Sequence, residues 1–410
     1  MSRPLDGVTI LDLTWVLAGP YASMVLCDLG ADVIKVERPP WGDIARTTGP
    51  YQNGWSGYFF SINRGKRSVS IDLGKAEGRE LFQKLAEKVD VVMENFTPGT
   101  MERLGVGYEA LAARNPRLIF ASTSGFGQTG PYRERPALDI VVQAMGGVMS
   151  ITGDPGGRPV RPGASYGDIV AGLYTTIGIM AALHERERSG RGQAVDISML
   201  DCQVSVLENA IMRYGVTGKA PEALGTRHPS ATPFQAFPTA DGYVVVALGF
   251  GVENQWGLFC GILGLTELID DPRFNTGPKR TARHAELEPI IEAAMRQRST
   301  AEWLRDFEGA GIPSGPVNTV PEMLADPQVA ARDMVRPVTH HTAGTIRIAD
   351  TPVRLSRSET GIKGPPPDLG QDTREVLAEF LGLDDATVEA LAAAGVVATS
   401  GGPDISAITD

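Results

Sequence analysis

Residues 8–39 read VTILDLTWVLAGPYASMVLCDLGADVIKVERP, and this stretch decides the fold. VTILDLTWV (8–16) is an apolar, β-branched run of strand length, AGPYASMVLCDLG (18–30) has a helical pattern that stops at Gly30, and ADVIKVERP (31–39) is a second strand. The pattern repeats outward. RSVSIDL (67–73) reads as a strand, GKAEGRELFQKLAEKV (74–89) as a helix, DVVMEN (90–95) as a strand, TMERLGVGYEALAARN (100–115) as one helix and RLIFASTS (117–124) as a strand. Strands alternating with amphipathic helices imply right-handed βαβ crossovers and a parallel sheet. Ligands of such sheets bind beyond the carboxyl ends of the strands, which gathers Trp15, Val16, Glu37, Arg38, Asn95, Phe96 and Ser124 on one rim. GFGQTG (125–130) matches the dinucleotide fingerprint in letters only: Pro131 to Pro136 follow it as loop, where the fingerprint requires a helix.

Further along, Asp168 stands between the loop RPVRPGASYG (158–167) and a long apolar helical run. An acid at a helix N-terminus is favoured in its ionised form by the orphan N–H groups and the dipole. It can cap the helix, or attack an acyl group as a nucleophile. The run IVAGLYTTIGIMAAL (169–183) is short for a membrane span and reads as a buried helix. A short strand and another helix follow in 193–214. The loop GKAPEALGTRHPSATP (218–233) then marks a boundary, and PFQAFPTADGYVVVALG (233–249) reads as a hairpin turning at Asp241-Gly242. Helices follow to about residue 330, then strands in 345–356, a last helix in 373–383 and a flexible tail. The expected organisation is a large α/β domain over 1–214, a small domain over 215–330, a return to the large domain over 331–398 and the tail 399–410.

With 410 residues, 42% hydrophobic and 21% charged, the composition is that of a globular enzyme. A net charge of −11 with scattered Lys and Arg gives no nucleic-acid surface. Cys27, Cys202 and Cys260 lack CxxC spacing and fit reduced thiols in a cytoplasmic protein. MSRPLDG carries no signal-peptide pattern. The five histidines show no HxxxH or HxH spacing, so no metal site is expected.

Seven segments in order resemble the family III CoA-transferases: PLDGVTILDLTWVLAGP (4–20), GADVIKVERP (30–39), NRGKRSVSIDL (63–73), VVMENFTPGTMERLG (91–105), SGFGQTGP (124–131), GRGQAVDISMLD (190–201) and GIPSGPVNTVPEMLADPQV (311–329), with PPPDLGQDTREVLAEFLGLDD (365–385) extending the match. The resemblance implies a Rossmann-like parallel-sheet large domain plus a smaller α+β domain, in an interlocked homodimer. It implies transfer of CoA from an acyl-CoA donor to a carboxylic acid, with the branch that includes HPS (228–230), PFQAF (233–237) and DGYVVVA (241–247) pointing to succinyl-CoA and a dicarboxylate. CoA thioester is then a substrate, and no permanently bound cofactor is expected.

By the same resemblance Asp168 is the nucleophile, passing through an aspartyl–acyl anhydride and an aspartyl-CoA thioester. Asp139 either supports it, by orienting substrate or positioning a backbone amide, or is another helix cap; read from the residues alone, the glycine-rich Gly249-Phe250-Gly251 loop either supplies oxyanion donors or is simply a turn. Val16, Ala18, Arg38, Leu73, Lys75, Asn95, Phe96 and Arg103 match CoA contacts, and Lys66 and Arg67 are phosphate neighbours or part of a solvated turn. Trp15 and Leu17 replace polar residues of oxalate-specific relatives and shape a different acyl pocket. His228 is a candidate either to reach an acyl carboxylate or to cap its loop, and Arg227 beside it is a candidate to pair with the distal carboxylate of a dicarboxylic acid. Two other readings remain: an α-methylacyl-CoA racemase, whose partner histidine is replaced here by Leu138, and a nonenzymatic CoA-binding protein. The expected partners are small acyl-CoA and acid molecules and a second copy of the chain, not nucleic acid or membrane.

Overall fold

A computed structural model describes residues 2–249 and 254–399. Six parallel strands, β1 (Thr9–Asp12), β2 (Asp32–Glu37), β3 (Arg67–Ile71), β4 (Val91–Glu94), β5 (Ile119–Ser124) and β6 (Ala194–Ser198), are joined at one edge by the antiparallel β7 (Val397–Ala398). The order is β7-β3-β2-β1-β4-β5-β6. The chain thus runs outward one way from β1 to β3, then returns and runs the other way from β4. This places a topological switch point between β1 and β4.

β1, β2, β4 and β5 are buried along nearly their whole length because both faces of the sheet are covered there, while the edge strand β6 is partly exposed. Successive residues point to opposite faces. Ile10, Val33, Val91 and Ile119 join Leu26 and Cys27 of α1 (Ala18–Asp28) in one core layer. Their neighbours Leu11, Ile34, Val92 and Phe120 join Phe82 and Leu85 of the helix Ala76–Ala86, and Val376 and Leu377 of the helix Thr373–Leu381, in the other.

Two compact units are present. Among the described residues, the first comprises 2–148, 161–217 and 330–399, and the second 149–160, 218–249 and 254–329. The second has its own core, including Phe237, Val244, Val246, Phe259, Leu287, Trp303 and Phe307, beside a three-stranded antiparallel sheet. Its strands Phe234–Pro238 and Tyr243–Ala247 form the hairpin expected around Asp241-Gly242. The segment 149–160, placed in the large domain by the sequence reading, clusters with this unit; the Gly153 carbonyl accepts the Gly225 N–H at 2.8 Å. The expected tail from residue 400 onward lies outside the described residues.

Two expectations change. The single helix over 100–115 is two short ones, Thr100–Arg103 and Tyr108–Ala112, broken where Gly105 takes φ +72. A further helix, Asp385–Ala393, follows the expected last one, capped by Asp384. The apolar run at 169–183 belongs to α3 (Tyr166–Ser189), the one helix among the described residues long and apolar enough to cross a membrane. Half of its apolar window is buried, with Ile179 and Ala182 in the sheet's core layer.

Candidate active site

The site begins where β1 ends. The chain runs through Thr14–Leu17 and enters α1 at Ala18. α1 lies against α3 at close range because position 172 is glycine: a Cβ there would stand 2.8 Å from the Ala18 carbonyl oxygen and 3.1 Å from Tyr21. Asp168 occupies the first turn of α3. A third helix, α2 (Asp139–Met145), completes the group.

Asp139 ties α2 to α3. Its Oδ1 accepts the Gly167 N–H at 2.8 Å and the Asp168 N–H at 3.4 Å, and its Oδ2 accepts from Gln143 Nε2 at 2.7 Å. Arg161 Nη2 stands 3.5 Å from the same Oδ2. Of the roles open to Asp139, this geometry realises the positioning of backbone amides: it caps the helix that carries Asp168. The helix N-terminus that favours an ionised Asp168 is opposed by its surroundings. Burial, and then the charge on Asp139, push its carboxyl up to about 7, with Arg161 only partly offsetting them.

Asp168 opens into a cavity of about 400 Å³ lined by Trp15, Val16, Leu17, Ala18, Asn95, Phe96, Ser124, Gly125, Arg133, Arg135, Leu138 and Asp139. A second cavity, about 420 Å³, is lined by Arg38, Leu73, Gly74, Ile71, Leu104 and again Trp15 and Phe96. The Trp15 and Phe96 rings, with centroids 6.2 Å apart, are shared by both. Together the cavities follow the carboxyl ends of β1, β2, β4 and β5, the rim that strand order designates.

A profile described as CoA-transferase family III matches residues 5–373. The chain is a family III CoA-transferase. It is 42% identical over 396 residues to the succinyl-CoA:glutarate CoA-transferase of Mus musculus, covering 96% of this chain and 90% of that protein. It is 41% identical over 379 residues to the acetyl-CoA:oxalate CoA-transferase of Acetobacter aceti, covering 92% and 96%. A crystal structure of a CaiB/BaiF family protein from Brucella suis superposes with a TM-score of 0.84 at 40% identity, covering 93% of this chain and all of that one.

Of the residues expected to contact CoA in this transferase, Val16, Ala18, Arg38, Leu73, Asn95 and Phe96 line the two cavities, and Lys75 and Arg103 line neither. Lys75 donates to the Ala394 carbonyl, and Arg103 Nη2 to Thr100 Oγ1 at 2.8 Å. Arg38 is open, its side chain 81% exposed. Asn95 spends its amide on the neighbouring loop, accepting the Trp15 N–H at 2.9 Å and donating to the Trp15 carbonyl at 2.8 Å. Lys66 is neither a phosphate neighbour nor part of a solvated turn. It is buried on Asp12 at 3.0 Å, with burial bringing its ammonium down to about 8. Arg67 is engaged by Asp32 and Glu379.

Gly249, Arg227 and His228 belong to the second unit. The Gly249 N–H already donates to Gln255 Oε1 at 2.7 Å, which removes it as an uncommitted donor. The His228 ring packs on Phe234 with centroids 4.9 Å apart, and its Nδ1 accepts the Ser230 N–H. Gly251 lies outside the described residues.

Sequence reasoning missed several groups. Arg133 and Arg135 line the Asp168 cavity, and their place after β5 on the carboxyl rim was the available signal. The Tyr58 phenol is pushed up to about 12 by burial and by the charges of Asp168, Asp43 and Asp139; nothing local in the sequence marks it. His340, His341 and Asp368 bring candidate ligand atoms within 4.8 Å of one another, from adjacent rather than spaced histidines. Within this cluster His340 Nδ1 accepts the Thr342 and Ala343 N–H groups, and His341 is paired with Asp368 at 2.9 Å.

Proposed function

We propose that this transferase moves CoA from succinyl-CoA to a dicarboxylic acid, with Asp168 as the nucleophile. The observation that carries this reading is the Asp168 carboxyl in the first turn of α3, facing a cavity that shares the Trp15–Phe96 wall with the cavity of Arg38 and Leu73. The second cavity suits the nucleotide and pantetheine arm, and the first the acyl group. The donor follows from the glutarate-using relative, and both relatives act on a dicarboxylic acid.

In the proposed sequence the ionised Asp168 attacks the donor thioester carbonyl, forming an aspartyl–acyl anhydride and expelling CoA thiolate. The thiolate attacks the aspartyl carbonyl, giving an aspartyl-CoA thioester and releasing the donor acid with one oxygen from Asp168. The acceptor carboxylate attacks that thioester, and the returning thiolate takes the acceptor acyl group, restoring the aspartate. Exchange of one carboxylic acid for another on CoA is nearly thermoneutral, so the scheme calls on no metal, redox group or other resident cofactor. Asp139 orients the helix that presents Asp168.

The test is acyl-CoA mass spectrometry on mixtures of enzyme, succinyl-CoA and glutarate, oxalate, malate, citramalate, mesaconate, itaconate or carnitine. A new acyl-CoA that is absent with Asp168→Ala is the expected result. With an acceptor carrying ¹⁸O in both carboxylate oxygens, label should appear in the released succinate over several turnovers. Transfer that persists in Asp168→Ala, or succinate free of label, overturns the mechanism.

The same reading takes the enzyme as a homodimer. α3 exposes Leu173, Ile177 and Met180, and the helix Glu208–Thr217 exposes Ile211, Met212, Tyr214 and Val216 with none of its residues buried. Apolar surface of that extent suits a second copy. Light scattering should return twice the chain mass, and a monomeric mass rejects the dimer.

A further inference from the structure

We propose that Asp43 is a positioning residue for the transfer site: fixed by Lys35 within a buried ion network, it holds Val16 in a left-handed conformation and so sets the cavity wall against which a thioester meets Asp168. The inference rests on the reading of Asp168 given above and adds to it a group that touches neither substrate nor the reacting atoms.

Val16 has φ +65, in the region that suits glycine and disfavours a β-branched side chain. A residue of this kind persists where its surroundings over-determine it. Five consecutive main-chain groups of the loop are bound by side chains. The Thr14 N–H donates to Asp12 at 2.9 Å, the Thr14 carbonyl accepts from Lys35 Nζ at 2.7 Å, and the Trp15 N–H and carbonyl are both taken by Asn95. The fifth, the Val16 N–H, donates to Asp43 Oδ1 at 3.1 Å.

Asp43 is itself fixed. The same Oδ1 accepts the Ala45 N–H at 2.9 Å, Oδ2 stands 2.9 Å from Lys35 Nζ, and its own N–H donates to Glu37 at 3.0 Å. Lys35 is fully buried and Asp43 is 4% exposed. Buried ion pairs are poor sources of net stability, and apolar replacements of equal volume are often no worse. What an apolar set cannot do is seize one N–H of a loop bordering Asp168. The network therefore acts as a clamp on Thr14–Val16.

The experiment is a kinetic cycle of Asp43→Ala, Val16→Gly and the double variant, with Asp43→Asn as the conservative control and thermal melts on each. Asp43→Ala should lower kcat about tenfold or more with little change in KM for acyl-CoA, because misplacement of a bound group costs rate rather than affinity. Asp43→Asn, which keeps an acceptor for the Val16 N–H, should retain kcat within about threefold while melting earlier. In the Val16→Gly background the Asp43→Ala penalty on kcat should shrink to about threefold or less, since glycine takes the left-handed conformation unaided. An equal penalty in both backgrounds, or equal loss in Asn and Ala, overturns the proposal. If Asp43→Ala does not fold, Val16→Gly alone decides: a higher melting temperature is expected from relief of the unfavourable valine, and a lower one overturns it. Retained transfer in Asp168→Ala sinks the reading of the nucleophile. An Asp168-dependent enzyme lacking Asp43–Val16 coupling sinks only the clamp.

Discussion

The first turn of α3 favours a carboxylate, yet burial and the neighbouring Asp139 work against it, and at Asp168 they prevail, giving a midpoint of about 7. Only the carboxylate attacks a thioester, so kcat/KM should rise with pH through about 7 and level off above it, measured on the free enzyme with subsaturating acyl-CoA. Asp139→Asn removes the repelling charge but leaves an oxygen for the Gly167 N–H, and should move that midpoint downward. The sign for stability is opposite to that of an ordinary paired aspartate. With its folded-state value raised from 3.8 to about 7, Asp168 increasingly destabilises the fold as pH climbs between those limits. Asp168→Asn should therefore stabilise the protein by about 1–3 kcal/mol at pH 8 and by little at pH 4, read from denaturant melts. Asp168 was legible in the sequence as an acid before an apolar helix, but its charge state was not, because burial and the approach of Asp139 arise only in the packed structure. Lys35 gave a local hint, as a lone cation inside the apolar strand DVIKVE. The sequence did not show that Asn95 binds the Trp15 main chain, since that partner lies far away in sequence.

Elements carry the next level of the design. α1 and α3 bring their N-termini together because Gly172 admits the Ala18 carbonyl. Gly172→Val should overpack this crossing, costing about 1–3 kcal/mol in a thermal melt and lowering kcat by shifting Ala18 against Asp168. β2 ends in Glu37, where burial pushes the carboxyl up but Arg46 and Lys35 outweigh it and bring it down to about 2. That stabilisation is complete above the unfolded value of 4.5 and is lost as pH falls toward 2. Glu37→Gln should lower the melting temperature at neutral pH and flatten its fall across the same acid range. Strand and helix alternation was readable through residue 124 because a buried parallel strand and an amphipathic helix leave different periodicities. The break at Gly105 was not, since isolated glycines within a helical pattern do not announce a left-handed turn. The helix Asp385–Ala393 was missed although DDATVEALAAAG carries an aspartate cap at Asp384.

At the scale of the whole molecule, the two units have separate cores. Calorimetry should give a van't Hoff enthalpy below the calorimetric one, the mark of more than one cooperative block; equal values would mean that the units unfold together. A Gly/Pro-rich loop near residue 215 and a switch of pattern near 330 were the sequence signals for a change of domain. They could not assign 149–160, which has turn residues and no core pattern of its own. The sheet, too, is assembled from distant stretches: β7, at Val397–Ala398, pairs with Ser70 and Ile71 of β3. A ribosome delivers β3 more than three hundred residues ahead of the strand that closes its edge. Until Val397 and Ala398 have been synthesised, that edge of β3 has no strand beside it, and an open strand edge is a place where other chains can pair.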